Sequence, residues 1–203
     1  MRHRTREQLN SVADQHSGVF TARDAERAGI STRTFYRLRD SGDIVCISRG
    51  VFQLVGMGNN EMPTPDYAAI KKRIPECRIC LISALYHHDL TTEIPRSIHL
   101  AIHRNAHIPR IDYPPVSIYR MSSRPFSAGV EHMKIGGVTV NVFSPEKTIA
   151  DCFKYRDKLG LDLAVEGLKN YLSRPSARPT TVLEMAKICR VGNVIKPYLE
   201  ALL

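Results

Sequence analysis

The sequence predicts an α+β protein, and three observations lead to this prediction. The chain has 203 residues, of which 43% are hydrophobic, so it can form packed cores in one large or two small domains. In residues 1–56, apolar residues first recur at helical spacing and then follow a β-hairpin pattern. In residues 64–203, segments with strand patterns lie between segments with helical patterns. A stretch rich in Gly, Asn and Pro separates these regions. We therefore expect a winged helix-turn-helix at residues 1–56. Residues 64–203 should form an α+β domain with an antiparallel sheet and C-terminal helices.

The first region begins with helices and a glycine turn. Helical spacing predicts a first helix whose buried stripe consists of Leu9, Val12, Ala13 and His16. A second, short helix begins with a capping box at Thr21 and Asp24 and ends at Gly29, which readily adopts the left-handed conformation. Ser31 then caps a third helix. A short helix, a glycine turn and a capped helix are the arrangement of a helix-turn-helix.

The third helix has one apolar and one polar face. A rotation of about 100° per residue places Phe35 and Leu38 together on the buried face. The opposite face carries the residues that we expect to contact DNA, namely Thr32, Arg33, Tyr36 and Arg37. An arginine can form two hydrogen bonds with the acceptor edge of guanine, and base contacts come from the N-terminal half of a recognition helix.

Two β-rich runs follow between Asp43 and Val55, joined near residues 48–50. A hairpin directly after a recognition helix is a wing, and Arg49 at its tip is expected to contact a phosphate or the minor groove. A single surface arginine is usually only solvated. The ordered combination of Arg33, Arg37 and Arg49 nevertheless favours DNA binding, because base and phosphate contacts need positive groups on one face.

The second region mixes helices and strands. A helix with a cap, a proline and an acid begins at Thr64 and continues to about Arg73. Strict alternation in residues 97–103 predicts a half-buried strand with His99 and His103 on its outer face. The other predicted elements are a helix at 78–88, strands at 116–121 and 130–143 with a turn at Gly136-Gly137, and helices at 145–160, 161–172, 181–190 and 193–203.

The charge of the chain favours a polyanionic partner. Its formal net charge is +9, which points to nucleic acid or to an anionic membrane surface. No apolar run approaches the roughly 20 residues of a membrane-spanning helix. Glu7, Gln8 and Asn10 stand where a signal peptide would be apolar. We therefore expect a cytoplasmic protein without a membrane partner.

The five cysteines are few and scattered, which is typical of a reducing compartment. Cys77 and Cys80 form a CxxC pair among apolar residues, but the chain offers no second pair. Buried thiols therefore explain these cysteines better than a zinc site does.

Two other sets of residues could suggest a metal or catalytic site. His99 and His103 would stand about 13 Å apart along a strand, which is too far for one ion. Glu146, Lys147 and Asp151 could form a nuclease site. The first two belong to a first helical turn, however, and we expect Asp151 to lie on the exposed side or to cap a neighbour. No nucleotide-binding or hydrolase motif is present. We therefore expect no enzyme, metal or cofactor, with a metal-dependent nuclease as the least favoured alternative.

Several short motifs, taken in order, resemble the AbiEi-type antitoxins of type IV toxin–antitoxin systems. They begin with the hairpin sequence at residues 48–54. The helix sequence 80–85 follows, with residues 92–95 and the strand 98–102 after it. The most specific motif is the segment 137–140 leading into Ser144-Pro-Glu-Lys-Thr-Ile-Ala-Asp151. The resemblance spans nearly the whole chain.

Membership of that family would imply a transcriptional repressor of its own operon that binds inverted repeats in double-stranded promoter DNA. The functional partner would be a nucleotidyltransferase-like toxin, often countered without a stable complex. Arg33, Arg37 and Arg49 are the matching winged-helix positions, whereas no antitoxic residue of the second domain can be carried over. The alternative is an antitoxin that masks a toxin by direct binding, which copurification with a neighbour-encoded protein would reveal.

Overall fold

A computed structural model describes residues 3–16, 18–48, 50–55, 65–108, 111, 113–135 and 138–203. The chain has two compact units, which are described separately. Unit 1 comprises residues 1–75, 108–115 and 134–140, and unit 2 comprises residues 76–107, 116–133 and 141–203. The mixture of helices and sheets confirms the predicted α+β class.

The N-terminal part of unit 1 is helix-turn-helix-like and carries a small antiparallel sheet. Its elements are α1 His3–Gln15, β1 Val19–Phe20, α2 Ala22–Arg27, α3 Thr32–Asp40, β2 Ile44–Ser48, β3 Val51–Leu54 and α4 Pro65–Arg73. In the described part of the sheet the strand order is β1-β3-β2, with β3 in the middle. We did not predict β1, because two residues are too few to show an alternating pattern.

The predicted boundaries of α2 and α3 are confirmed by their caps. The Thr21 side chain accepts a hydrogen bond from the Asp24 backbone, and the Asp24 carboxylate accepts one from the Thr21 backbone, which completes the capping box. Gly29 has φ +86°, a conformation that suits glycine at a helix end. The Ser31 hydroxyl accepts from the backbone of Thr34 at 3.3 Å. The turn between α2 and α3 is therefore fixed by local sequence.

Helix α4 belongs to unit 1, whereas we expected it to open a second domain at residue 64. It contacts β1, β2 and β3. Its Lys72 ammonium lies 2.7 Å from the Asp24 carboxylate of α2, which ties α4 to the helix-turn-helix-like part. The composition break at residues 56–63 lies outside the described residues. Helix α4 is grouped with unit 1 because it contacts elements that precede this break.

The elements after Pro75 include a sheet and a set of helices. They are β4 Arg78–Ile79, α5 Leu81–His87, β5 Ile98–His103, β6 Val116–Met121, α6 Ser123–Ser127, β7 Val130–Ile135, β8 Val138–Phe143, α7 Pro145–Lys154, α8 Arg156–Leu159, α9 Leu161–Leu172, α10 Pro179–Cys189 and α11 Gly192–Leu202. The predicted helix at 78–88 was wrong at its start, because Arg78 and Ile79 pair with neighbouring strands. The predicted turn at Gly136-Gly137 lies outside the described residues.

The second sheet is mixed, so the predicted antiparallel sheet was wrong. Its described strand order is β6-β5-β4-β8-β7. β4 is antiparallel to β5, but β4 and β8 are parallel, as are β5 and β6. Twelve residues, 104–115, lie between β5 and β6, which is long enough for the crossover that a parallel pair requires. Hairpin patterns in the sequence do not report such crossovers.

His99 is buried, so its predicted place on an outer face was wrong. Only 7% of the residue is exposed. The Ser83 hydroxyl of α5 lies 3.3 Å from its Nδ1, and the Tyr119 ring of β6 stacks on the imidazole with centroids 5.8 Å apart. Burial lowers the pKa of His99 below its ordinary value, which favours the neutral ring. Both faces of β5 are therefore covered.

Helix α7 is the central helix of unit 2. It contacts α5, α9, α10 and α11, and its Ile149, Cys152 and Phe153 are buried. The burial predicted for Cys77 and Cys80 is confirmed. Burial raises the pKa of the Cys80 and Cys152 thiols well above the ordinary value, so they stay protonated.

Asp151 and Lys147 are both completely buried, so the predicted exposed or capping position of Asp151 was wrong. The Lys147 ammonium contacts the Asp151 carboxylate one turn away and lies 4.0 Å from the centroid of the Phe143 ring. The Cys189 thiol donates to the same carboxylate at 3.2 Å. The helices around α7 cover its Lys147–Asp151 face as well as its apolar face. Inside the core, the ammonium and the carboxylate form an ion pair.

Candidate nucleic-acid interface

The orientation of α3 is fixed by its apolar side. Phe35 is fully buried, and its ring meets Phe52 of β3 and Phe20 of β1 edge to face, with centroids 4.7 and 6.3 Å apart. Leu38 is buried one turn later. Because helix residues three apart share a face, these two anchors turn the opposite side of α3 outward.

The outward side of α3 carries the residues that the sequence selected. An open groove of about 400 Å³ is lined by Arg33, Thr34, Tyr36, Arg37 and Asp40. Thr32 is exposed in the first turn but does not line this groove, and Tyr36 is 41% exposed. The structure therefore brings Arg33, Tyr36 and Arg37 together on one surface. Arg49 lies outside the described residues.

The charge of this surface is uneven along the helix. Near its C-terminal end, the Arg39 guanidinium donates two hydrogen bonds to the Asp40 carboxylate at 2.7 and 2.9 Å and lies 4.9 Å from the Tyr36 ring centroid. Within the described chain, neither Arg33 nor Arg37 is ion-paired. Helix α3 therefore presents two uncompensated cations to solvent, Arg33 in its first turn and Arg37 about one turn later, which is the pattern that a polyanion requires.

The hairpin of β2 and β3 borders α3. β2 contacts α3, and the pairing shifts register between Cys46 and Ser48, just before the turn. Gly50 in that turn has φ +77°, which suits a residue without a side chain. Arg49 belongs to this turn by sequence, which is why the hairpin stays part of the candidate interface.

A polar cluster that the sequence did not predict joins α4 to α2 and to the end of α1. The Lys72 ammonium lies 2.7 Å from the Asp24 carboxylate and 3.2 Å from the His16 Nδ1. Burial alone would raise the pKa of Asp24, but hydrogen bonds from Lys72 and Thr21 outweigh it and lower the pKa to about 2. Lys72 and Asp24 are 48 residues apart, so no local pattern could have paired them.

The described residues contain no group of three or more His, Cys, Asp or Glu side chains that could hold a metal ion. None of their helices is long and apolar enough to cross a membrane.

Comparison with known proteins places the N-terminal segment beside one family. Residues 7–55 match the sequence model of a family described as transcriptional regulators, AbiEi antitoxin. No curated protein matches the chain. The fold is similar to the crystal structure of the RV2827C protein from Mycobacterium tuberculosis, with a TM-score of 0.54 and 13% identity over 95% of this chain and 79% of that one. At this identity the likeness concerns the fold alone. Residues 7–55, which contain α3 and the β2–β3 hairpin, are therefore similar to the AbiEi antitoxin family of transcriptional regulators.

Proposed function

We propose that the protein is a sequence-specific DNA-binding repressor. One observation carries the proposal: Arg33 and Arg37 stand unpaired and exposed, about one turn apart, on the outward face of a helix whose rotation is fixed by Phe35. In a helix-turn-helix, the outward face of the second helix lies in the major groove. A bidentate arginine contact discriminates between bases by about 1–3 kcal/mol.

We further propose that unit 1 contains a winged helix-turn-helix. The order α2, α3, β2, β3, with β1 joined to β3, supports it, because a hairpin then follows the recognition helix directly. Arg49 in the hairpin turn would act as a phosphate or minor-groove contact, whereas Thr32 and Tyr36 would contact bases or phosphates beside the arginines.

The family match of residues 7–55 supports a more specific role. In this proposal the protein represses its own operon by binding inverted repeats in the promoter, and it is the antitoxin of a type IV pair in the cytoplasm. The functional partner is a nucleotidyltransferase-like toxin. Inverted repeats present the same half-site twice, so two copies of the helix-turn-helix would occupy one operator.

The test is a binding titration of the full-length protein with fluorescent duplex DNA. One duplex carries the sequence upstream of the gene, and the other carries the same bases in shuffled order. We expect tighter binding to the upstream duplex and an affinity that falls as salt rises. Arg49→Ala should weaken binding to both duplexes evenly and reduce the salt slope by about one contact. Equal affinity for the two duplexes would refute a sequence-specific repressor.

A further inference from the structure

Unit 2 contains a pocket with an unusual charge. Its volume is about 370 Å³, and its lining includes the cations Arg104, Arg124, Lys154, Lys187 and Arg190. The other lining residues are Ser122, Pro125 and Ile188, so no acidic side chain contributes. The volume lies within the range of small-molecule sites, about 300–1,000 Å³.

The cations come from separate parts of the chain. Arg104 follows β5, Arg124 lies on α6, and Lys154 ends α7. The remaining two, Lys187 and Arg190, lie at the end of α10. The fold therefore gathers positive charges from four segments around one concave surface, although like charges repel one another.

These cations are available to a ligand. All five residues are exposed, and none is ion-paired with an acid in the described part of the chain. A positive charge at a helix C-terminus interacts favourably with the helix dipole. This interaction explains in part why Lys154 and Lys187 stand at helix ends. Arg104 follows a strand, so the dipole does not explain its place. Arg190 occupies a left-handed position, φ 62°, where glycine is usual.

The chemistry of the lining selects a class of ligand. Guanidinium groups bind phosphate oxygens in pairs, and lysines add point charges. No aromatic side chain lines the pocket, so it offers no stacking surface for a base. A duplex backbone spreads its charges at regular intervals along a line, whereas this pocket concentrates five cations around one volume. We propose that the pocket binds a compact polyphosphate group, either inorganic or the triphosphate of a nucleotide.

The experiment is calorimetric titration of the full-length protein with inorganic tripolyphosphate, adenosine triphosphate and adenosine. We expect one site per chain for both phosphate compounds and no binding of adenosine. Similar affinities would identify the phosphates as the whole ligand, and tighter binding of adenosine triphosphate would show that the nucleoside contributes. Arg124→Gln and Lys187→Gln should each weaken binding about tenfold or more, since each removes charge-assisted hydrogen bonds.

Two matched variants and one stability measurement keep the test specific. Arg96→Gln removes an exposed arginine of unit 2 that does not line the pocket, and Arg37→Gln removes one from α3. Both should bind tripolyphosphate like the parent. Tripolyphosphate should raise the melting temperature of the parent more than that of the pocket variants at the same concentration, and without ligand the pocket variants should melt like the parent. The proposal would be overturned by equal losses of tripolyphosphate binding in all four variants or by no tripolyphosphate binding at all. It would also be overturned if the pocket variants lost only duplex DNA binding.

Discussion

At the residue scale, the buried pair of Lys147 and Asp151 is the least expected feature of the molecule. Charged residues are almost never fully buried unless they are paired, which is why we expected Asp151 on the outside. In the structure, burial raises the pKa of Asp151, and the contact with Lys147 and the thiol hydrogen bond from Cys189 act against that rise. The pair satisfies itself, so the core tolerates it as long as both partners are present.

This arrangement predicts non-additive mutations. Asp151→Ala leaves the Lys147 ammonium buried without its partner and should lower the free energy of unfolding by about 3–5 kcal/mol. Lys147→Met should likewise be destabilising, because it leaves the carboxylate unpaired. The double variant Lys147→Met, Asp151→Leu should be more stable than Asp151→Ala, because no buried charge remains. Urea denaturation followed by circular dichroism measures the free energy of unfolding of all three variants. A double variant that loses as much stability as the two single variants together would contradict this account.

At the element scale, helix ends were predictable and short strands were not. Ser31 caps α3 as predicted, and Ser144 caps α7 in the same way, because a cap needs only residues within one turn. The two-residue strands β1 and β4 have no period of their own, and only their pairing partners define them. The exposed face of α3 followed from rotation about the helix axis, because Phe35 and Leu38 alone decide which side is buried.

The stability of the contact between α4 and α2 should depend on pH, because it involves the Asp24 carboxylate. The folded pKa of Asp24, about 2, lies below the ordinary value of 3.8. The ionised Asp24 carboxylate, held by Lys72 and Thr21 together, therefore stabilises the fold above about pH 4, and this joint contribution, about 2 kcal/mol, is lost as pH falls from about 4 to about 2.

Thermal melting across this acid range checks the prediction. The parent should lose more stability on acidification than Asp24→Asn, which has no carboxylate to protonate. Asp157→Asn is the matched control, because Asp157 is an exposed carboxylate of unit 2. It should retain the acid sensitivity of the parent. Identical acid profiles for the parent and Asp24→Asn would show that the contacts of the Asp24 carboxylate with Lys72 and Thr21 do not stabilise the fold.

At the scale of the whole molecule, the composition predicts a polyanionic partner but does not predict the architecture. The net charge of +9 drew attention to polyanions, and unpaired cations occur both on α3 and in the pocket of unit 2. The pocket was not predicted, because its cations are dispersed from residue 104 to residue 190. The grouping of α4 with unit 1 and the parallel pairing of β5 with β6 also depend on distant contacts that no local pattern records.

The central claim is that the exposed face of α3 recognises DNA sequence, and Arg37 tests it most directly. The measurement is the affinity of the parent, Arg37→Ala and Arg96→Ala for the upstream duplex and its shuffled counterpart at one salt concentration. We expect Arg37→Ala to lose about 1–3 kcal/mol of binding free energy on the upstream duplex and much less on the shuffled duplex. The difference in affinity between the two duplexes should therefore become smaller. Arg96→Ala, which removes the same charge from unit 2, should keep the preference of the parent. If Arg37→Ala binds the upstream duplex as tightly as the parent, α3 is not the element that reads DNA.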